Sequence, residues 1–428
     1  MNLELHKIEI RKLEWGSHTG ARDHVLTVNK EELVQMLLED QALKNVRVEL
    51  VHPGESARIL PCKDAVEPRC KLEGPGEVFP GWIGDVETVG QGKTLVLAGA
   101  AVLTTGRLVA PQEGIVDMSG PGAAYTPFSQ TCNVVLVFEP AEGVELHALE
   151  AVYRRAGLKA AHYLASCCKE VRADAVESYA FPPLAEAVSA YPGLPRVGYL
   201  YMLQSQGLLH DTWVYGVDAK KILPTLISPT EVMDGAIISG NCVSACDKNS
   251  TYMHLNNPVI ASLYAHHGKD INFAGVIITN ENVTLADKKR SSSYAVKLAR
   301  MLGVDGLVIS EEGFGNPDAD LIMNCWKAER AGIRTVLITD EYAGRDGSSQ
   351  SLADSCPEGD ACVTAGNANA LIVLPPMQRV IGDPATAEVI AGGFFGALRE
   401  DGSMEVELQA IMGATNELGY SRIGGRTL

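Results

Sequence analysis

The chain reads as an α/β protein: an N-terminal α+β region with a β-rich, Gly/Pro-rich part, then a C-terminal parallel-sheet α/β (Rossmann-like) region. Three observations predict this. From residue 273 onward, apolar runs alternate with helical patterns joined by short loops, the signature of parallel strands with right-handed crossovers. Between residues 52 and 107 the text breaks into short β-like runs separated by Gly- and Pro-containing turns. Finally, 428 residues with 46% apolar and 21% charged composition describe a globular chain too long for one ordinary core. The expected organisation is a β-rich domain over 1–140, an α/β segment over 141–241, and a parallel α/β domain over 242–428.

Each element has a local reason. Residues 3–10 alternate apolar and polar as a strand, and 25–28 form a second. Asn29 caps a short amphipathic helix over 30–40, and 46–51 is a third strand. Gly92-Lys-Thr mimics the end of a phosphate loop, but Glu87 stands where the motif needs glycine and 95–102 reads as strand, so no nucleotide site is predicted. The glycine-rich stretch 113–122 reads as a connection, leading to a buried strand over 134–138. Residues 143–170 have helical periodicity, with Leu146, Leu149, Val152, Tyr153, Ala156 and Leu164 on one side. Cys167 and Cys168, adjacent in sequence, read as free thiols. A strand over 196–203 ends at a polar turn near His210-Asp. Beyond it come strand 273–279, helix 287–302, strand 306–309, helix 318–331 and strand 334–338. A further strand is expected over 370–374 and a closing helix over 405–418.

Charge and length exclude several classes. A formal charge of −17 argues against nucleic acid or an anionic membrane surface as partner. No apolar run is long enough to span a bilayer, and the polar opening 1–20 is no signal peptide. Ten cysteines in a chain of this length are not a disulfide framework, so a reducing, cytoplasmic setting is expected.

The stretch around which the chain is organised is Gly235-Ala-Ile-Ile-Ser-Gly-Asn-Cys-Val-Ser-Ala-Cys-Asp. Ser239 and Gly240 permit a sharp turn, and Cys242 follows Asn241 directly. A thiol in such a turn can attack the preceding carbonyl in an N-to-S acyl shift. Loss of the α-proton then expels the thioester, and the dehydroalanine left behind hydrolyses to a pyruvoyl group on Val243, an electrophile no ordinary side chain supplies. Three plainer readings compete: a structural thiol, a metal set of Cys242, Cys246 and His254 with weak zinc spacing, and intein-like asparagine cyclisation, which lacks its usual histidine because Gly240 precedes Asn241. A base for the proton step is sought among His254, His210 and Asp247, with the imidazole of His254 first.

Three successive strand ends deliver carboxylates to one edge: Glu281, Glu311-Glu312, and Asp340-Glu341. Ligands of parallel sheets bind beyond such ends. An acidic edge repels phosphate and suits a cationic ligand, although helix capping explains the same residues.

The strings Gly207-Leu-Leu-His-Asp-Thr-Trp, Pro229-Thr-Glu-Val-Met-Asp-Gly, Ser239-Gly-Asn-Cys-Val-Ser-Ala-Cys-Asp-Lys, His266-His-Gly-Lys-Asp, Glu311-Glu-Gly-Phe-Gly-Asn-Pro-Asp and Ile338-Thr-Asp-Glu-Tyr-Ala-Gly-Arg-Asp are long and idiosyncratic. From end to end the chain resembles the proprotein of the α and β subunits of component B in the glycine, sarcosine and betaine reductases. On the residues, neither metal nor nucleotide is expected; the resemblance implies cleavage between Asn241 and Cys242 and a covalent pyruvoyl cofactor derived from Cys242. It implies a small amine substrate, from which a selenocysteine displaces the nitrogen. The implied partners are the selenocysteine-containing γ subunit of component B, the small selenoprotein (component A) and the acetyl-phosphate-forming component C. One position departs from the pattern: His52 stands before Pro53-Gly-Glu-Ser where the family has arginine, which removes the ground for a substrate role there.

Substrate contacts are expected from Glu281, Glu312, Asp340, Tyr342 and Arg345, the last meeting a carboxylate. The wording of Ser244-Ala-Cys, Tyr342-Ala-Gly and Ala365-Gly-Asn-Ala-Asn favours the sarcosine and betaine forms over the glycine form. The rival readings are a proline reductase-type pyruvoyl precursor and an uncleaved α/β protein that binds a small cation.

Overall fold

A computed structural model describes residues 1–74, 77–207, 212–240 and 243–420. Its C-terminal half is built on a six-stranded sheet. In spatial order the strands are Thr225–Ile227, Asn272–Asn280, Arg196–Leu203, Gly306–Ser310, Arg334–Glu341 and Cys362–Asn367. All neighbours run parallel except Thr225–Ile227, which closes one edge antiparallel. Strand Asn272–Asn280 is buried at every position, as parallel strands covered on both faces must be. Helices Leu285–Leu302 and Asn316–Arg330 supply cover for this sheet through Leu298, Leu302, Leu321 and Cys325, which pack in one cluster with Leu200, Ile277 and Leu307. The first helix begins at Thr284, whose hydroxyl accepts the Asp287 amide. It ends at Gly303 in the left-handed region, φ 63°.

The N-terminal half contains two larger sheets joined through one chain, and a small three-stranded one of Lys12–Trp15, Gly20–Arg22 and Val25–Val28. Strands Asn2–Glu9, Arg69–Lys71, Gly92–Ala98 and Ala175–Ala180 form the first larger sheet. Strands Leu43–Val51, Ala57–Val66, Ala100–Gly106, Gly114–Asp117 and Cys132–Pro140 belong to the second. The expected single strand over 95–102 is broken at Gly99, φ 83°, where the chain passes from one sheet to the other. A Cβ at Gly99 would stand 2.7 Å from the Ile10 carbonyl oxygen. Helix Leu146–Ser166 buries Leu149, Val152, Tyr153 and Leu164 in a cluster with Val66, Leu95 and Leu136. The helix over 30–40 is shorter than its pattern, Lys30–Leu37, with Asn29 as its cap.

Two C-terminal expectations need correction. Strand Leu371–Leu374 does not extend the parallel sheet but pairs antiparallel with Met404–Glu407; Cys362–Asn367 takes the edge instead. The expected closing helix over 405–418 is absent. Buried Met404, Val406 and Leu408 recur with period two, which suits a strand. Gly413 and Gly419, both at positive φ, interrupt the remainder of the segment.

The two sides of residue 241 are interleaved. Strand Arg196–Leu203, before it, lies between two strands from after it, while Arg379–Gly382 pairs parallel with Ala57–Val66. Among the described residues no helix is long and apolar enough to cross a membrane.

Candidate active site

Asn241, Cys242 and His210 lie outside the described residues, but both flanks of the Asn-Cys pair are described and buried. The upstream flank is the two-residue strand Ile237–Ile238, which pairs antiparallel with Trp213–Val214. The next amide, Ser239 N, donates to Thr251 Oγ1 at 3.1 Å, and the Ser239 hydroxyl donates to the Gly240 carbonyl at 3.0 Å. Thr251 opens helix Thr251–Leu255 and is itself fixed by Asp64. Its amide donates to Asp64 Oδ1 at 2.9 Å and its hydroxyl to Oδ2 at 2.7 Å. Asp64 comes from Ala57–Val66, a strand buried throughout, so the sheet scaffold reaches the chain two residues before the pair.

Downstream, Val243 packs at the turn after strand Gly306–Ser310: a Cβ on Gly313 would stand 3.0 Å from Val243 Cγ2. Segment 244–250 is buried and held by the acidic strand ends. Glu312 accepts the amides of Asn249 at 2.9 Å and Gln204 at 3.2 Å, while Glu281 accepts the Glu312 amide at 3.1 Å. Asn249 Nδ2 donates to Glu417 at 2.6 Å. Thr415 donates to Asp340 at 2.7 Å, and Asp340 faces Asp247.

Of the strand-end carboxylates, Glu281, Glu311, Glu312 and Asp340 are buried, and Glu341 is half-buried. Burial pushes the first four upward. Glu312 rises to about 7, the amides it accepts opposing the shift. Glu281 is driven well above the carboxylate range by burial and then by Glu311 and Glu312, and Asp340 by burial and then Asp247. Asp247 shifts the same way. Two carboxyls face to face with raised pKa values can share a proton. Cys246 Sγ donates to Asp247 at 3.0 Å, and Tyr342 OH to the other Asp247 oxygen at 3.1 Å. Cys246, Asp247 and Asp340 turn potential ligand atoms to within 4.8 Å of one another, the one such metal-ligand grouping among the described residues.

The remaining expected residues lie apart from this. His254 is fully buried, its Nδ1 2.7 Å from Tyr201 OH. Burial, with Lys248 second, lowers its pKa to about 3, so the ring is neutral at pH 7 but a feeble base. Arg345 is half-exposed, paired with Glu407 at 2.7 Å, and stacked on Phe394. Phe314 stacks on one face of the Tyr342 ring.

Asp64, Lys63, Thr251, Lys248, Thr415 and Glu417 do not stand out in the sequence. The available signal for the first two was a charged pair inside an otherwise apolar run, since buried charges need partners.

A family profile described as glycine/sarcosine/betaine reductase component B subunits matches residues 1–426. The chain is 60% identical over 429 residues, with all of both chains covered, to a protein of Acetoanaerobium sticklandii named "Glycine reductase complex component B subunits alpha and beta". It is 58% identical to the protein of that name from Peptoclostridium acidaminophilum. To the "Sarcosine reductase complex component B subunit alpha" of the same organism it is 53% identical; each match again covers both chains fully. In overall identity the glycine form ranks above the sarcosine form, opposite to the order expected from the three short strings. No solved structure matches.

Proposed function

We propose, for a chain that belongs to the family of glycine/sarcosine/betaine reductase component B subunits, that it is a precursor cut between Asn241 and Cys242. The observation that carries this reading is the full-length match to relatives whose name assigns two subunits, alpha and beta, to one chain of this length. Piece 1–241 and piece 242–428 are the two products, and Cys242 becomes a pyruvoyl group heading the second.

The described surroundings fit such a group. Both neighbours of the Asn-Cys pair, Gly240 and Val243, are buried, as the walls of a water-excluding site are. When formed, the group supplies an electrophile that draws electrons from the C–N bond of an amine. The chain's own residues do the rest. Asp64 orients Thr251, Thr251 holds the Ser239 amide, and the Ser239 hydroxyl binds the Gly240 carbonyl, fixing the backbone just upstream of the cut. For proton exchange near neutrality Glu312, at about 7, is better matched than His254, at about 3. Asp247 and Cys246 of segment 244–250, with Asp340 and Tyr342 across from them, form a proton-holding group. Glu312 positions that segment through the Asn249 amide, and Glu281 holds the Glu312 amide.

Relatives of this sequence are named as components of reductase complexes. Within such a complex this chain binds the amine and presents the electrophile, and a selenocysteine-bearing γ subunit or small selenoprotein displaces the nitrogen. Acetyl phosphate is made by a further component. Glycine is the preferred substrate on the order of identities. The test is a denaturing gel of the wild-type and Cys242→Ala proteins: two bands from the first and one from the second are expected, and one full-length band from both refutes self-processing.

A further inference from the structure

An amino-acid substrate of this class carries a carboxylate as well as an amine, and that anion needs a cation close to the reacting centre. The downstream side of the junction offers carboxyl groups instead: Glu312, Asp340, Asp247 and Glu417, all buried. A substrate carboxylate directed there meets like charge or protonated acids.

The upstream side adds basic groups to its acids. Ser239 and Gly240 form part of the wall of a small cavity whose other lining includes Lys63, Lys248 and Arg154 together with the carboxylates Asp64 and Glu150. These cations are 5%, 1% and 5% exposed, in a chain whose net charge is −17. Burying three cations around one small space is costly unless each is held. Lys63 pairs with Glu113 and lies over the Tyr153 ring, while Lys248 donates to the Lys63 carbonyl. Arg154 pairs with Glu150 one helical turn away. Its guanidinium carbon stands 5.1 Å from the Trp82 ring centre and 5.2 Å from that of Trp213. The two indoles meet edge to face at 5.0 Å, so the guanidinium is braced on aromatic surfaces.

Trp213 ties this arrangement to the junction, because it pairs with Ile238 in the strand that runs into Ser239 and Gly240. A planar, braced guanidinium is organised in advance for two parallel hydrogen bonds to a carboxylate.

We propose that this cavity is the subsite for the substrate's carboxylate, with Arg154 as its anchor and Lys63 and Lys248 as supporting charges. Glu150 keeps the guanidinium paired in the uncut chain. This assignment rests on the reading of residue 242 as the source of an electrophilic carbonyl. It places the anchor Arg154, with Lys63, on the N-terminal piece and the electrophile, with Lys248, on the C-terminal piece, so neither suffices alone.

The experiment compares glycine with methylamine, which has the amine but no carboxylate. Cleaved protein is incubated with each amine over a concentration range in the presence of cyanoborohydride, and covalent uptake on the C-terminal piece is read by intact mass. The wild type is expected to reach half-maximal uptake at far lower glycine than methylamine. Arg154→Met raises the glycine midpoint about tenfold or more, the loss expected for a charge-assisted pair, and leaves the methylamine midpoint unchanged. Arg154→Lys falls between the two. The double variant Glu150→Gln/Arg154→Met, which leaves no unpaired buried carboxylate, behaves as Arg154→Met and guards against misfolding of the single variant. An unchanged glycine midpoint, or equal shifts for both amines, overturns the subsite. Wild-type protein that takes up neither amine overturns instead the electrophile reading on which the subsite depends.

Discussion

Replacing Thr251 with valine preserves side-chain shape and removes one hydroxyl, and the structure says what that hydroxyl does. It donates to Asp64 Oδ2 at 2.7 Å and accepts the Ser239 amide at 3.1 Å, with all three residues buried. The variant loses one buried hydrogen bond, worth about 1 kcal/mol net, and orphans a buried amide at about 1–3 kcal/mol. The sum, roughly 2–4 kcal/mol, is within the ~5–15 kcal/mol stability of an ordinary domain, so the chain still folds. If about 2 kcal/mol of it is lost from the alignment of residues 239–240 on approach to cleavage, the rate falls roughly thirtyfold. The assay is the time course of full-length chain after a pulse of synthesis, followed by mass, with circular dichroism as the check on folding. Thr251→Ser, which keeps the hydroxyl, is expected to cleave near the wild-type rate. Thr251→Val cleaving as fast as wild type would refute the positioning role of the Asp64–Thr251–Ser239 chain.

Further expectations concern charge, assembly and substrate. Glu312 has its folded pKa raised from 4.5 to about 7, so the folded state binds the extra proton between those values. The stability it contributes is full below about 4.5 and is lost as pH rises through 7. Thermal midpoints measured from pH 5 to 8 should therefore decline less steeply in Glu312→Gln than in wild type; parallel slopes would show that Glu312 does not titrate there. Because Arg196–Leu203 and Arg379–Gly382 each sit in a sheet of the other piece, the two products of cleavage should elute together in native size exclusion and separate only in denaturant. Separation without denaturant would contradict the interleaving. Finally, the identity order predicts that the cleaved protein binds glycine more tightly than sarcosine in calorimetric titration, and the reverse order would restore the methylated substrate.

Much of the fold was legible because it is written in local periodicity. The all-apolar run at 273–279 and the alternation of strands with capped helices after it leave few arrangements besides a parallel sheet. Residues 405–418 misled because their composition suits a helix, while the deciding fact, the pairing of Met404–Glu407 with Leu371–Leu374, is a contact between distant residues. The site divides in the same way. Asn241-Cys242 and the strand-end carboxylates stand out as strings. That Glu312 and Asp340 are sealed against segment 244–250, with Glu281 holding the Glu312 amide, depends on tertiary packing, which no spacing reveals. Asp64 and Thr251 are 187 residues apart in sequence, and Arg154 reads as one more charge on an amphipathic helix until two tryptophans close on it.

The measurement that tests the central claim most directly is the intact mass of the C-terminal product, with and without a hydrazide reagent. A piece that begins with a pyruvoyl group on Val243 and gains one hydrazone is predicted, accompanied by an N-terminal piece ending at Asn241. A single uncut chain, or a C-terminal piece that keeps Cys242 as a free residue and ignores the hydrazide, would contradict it.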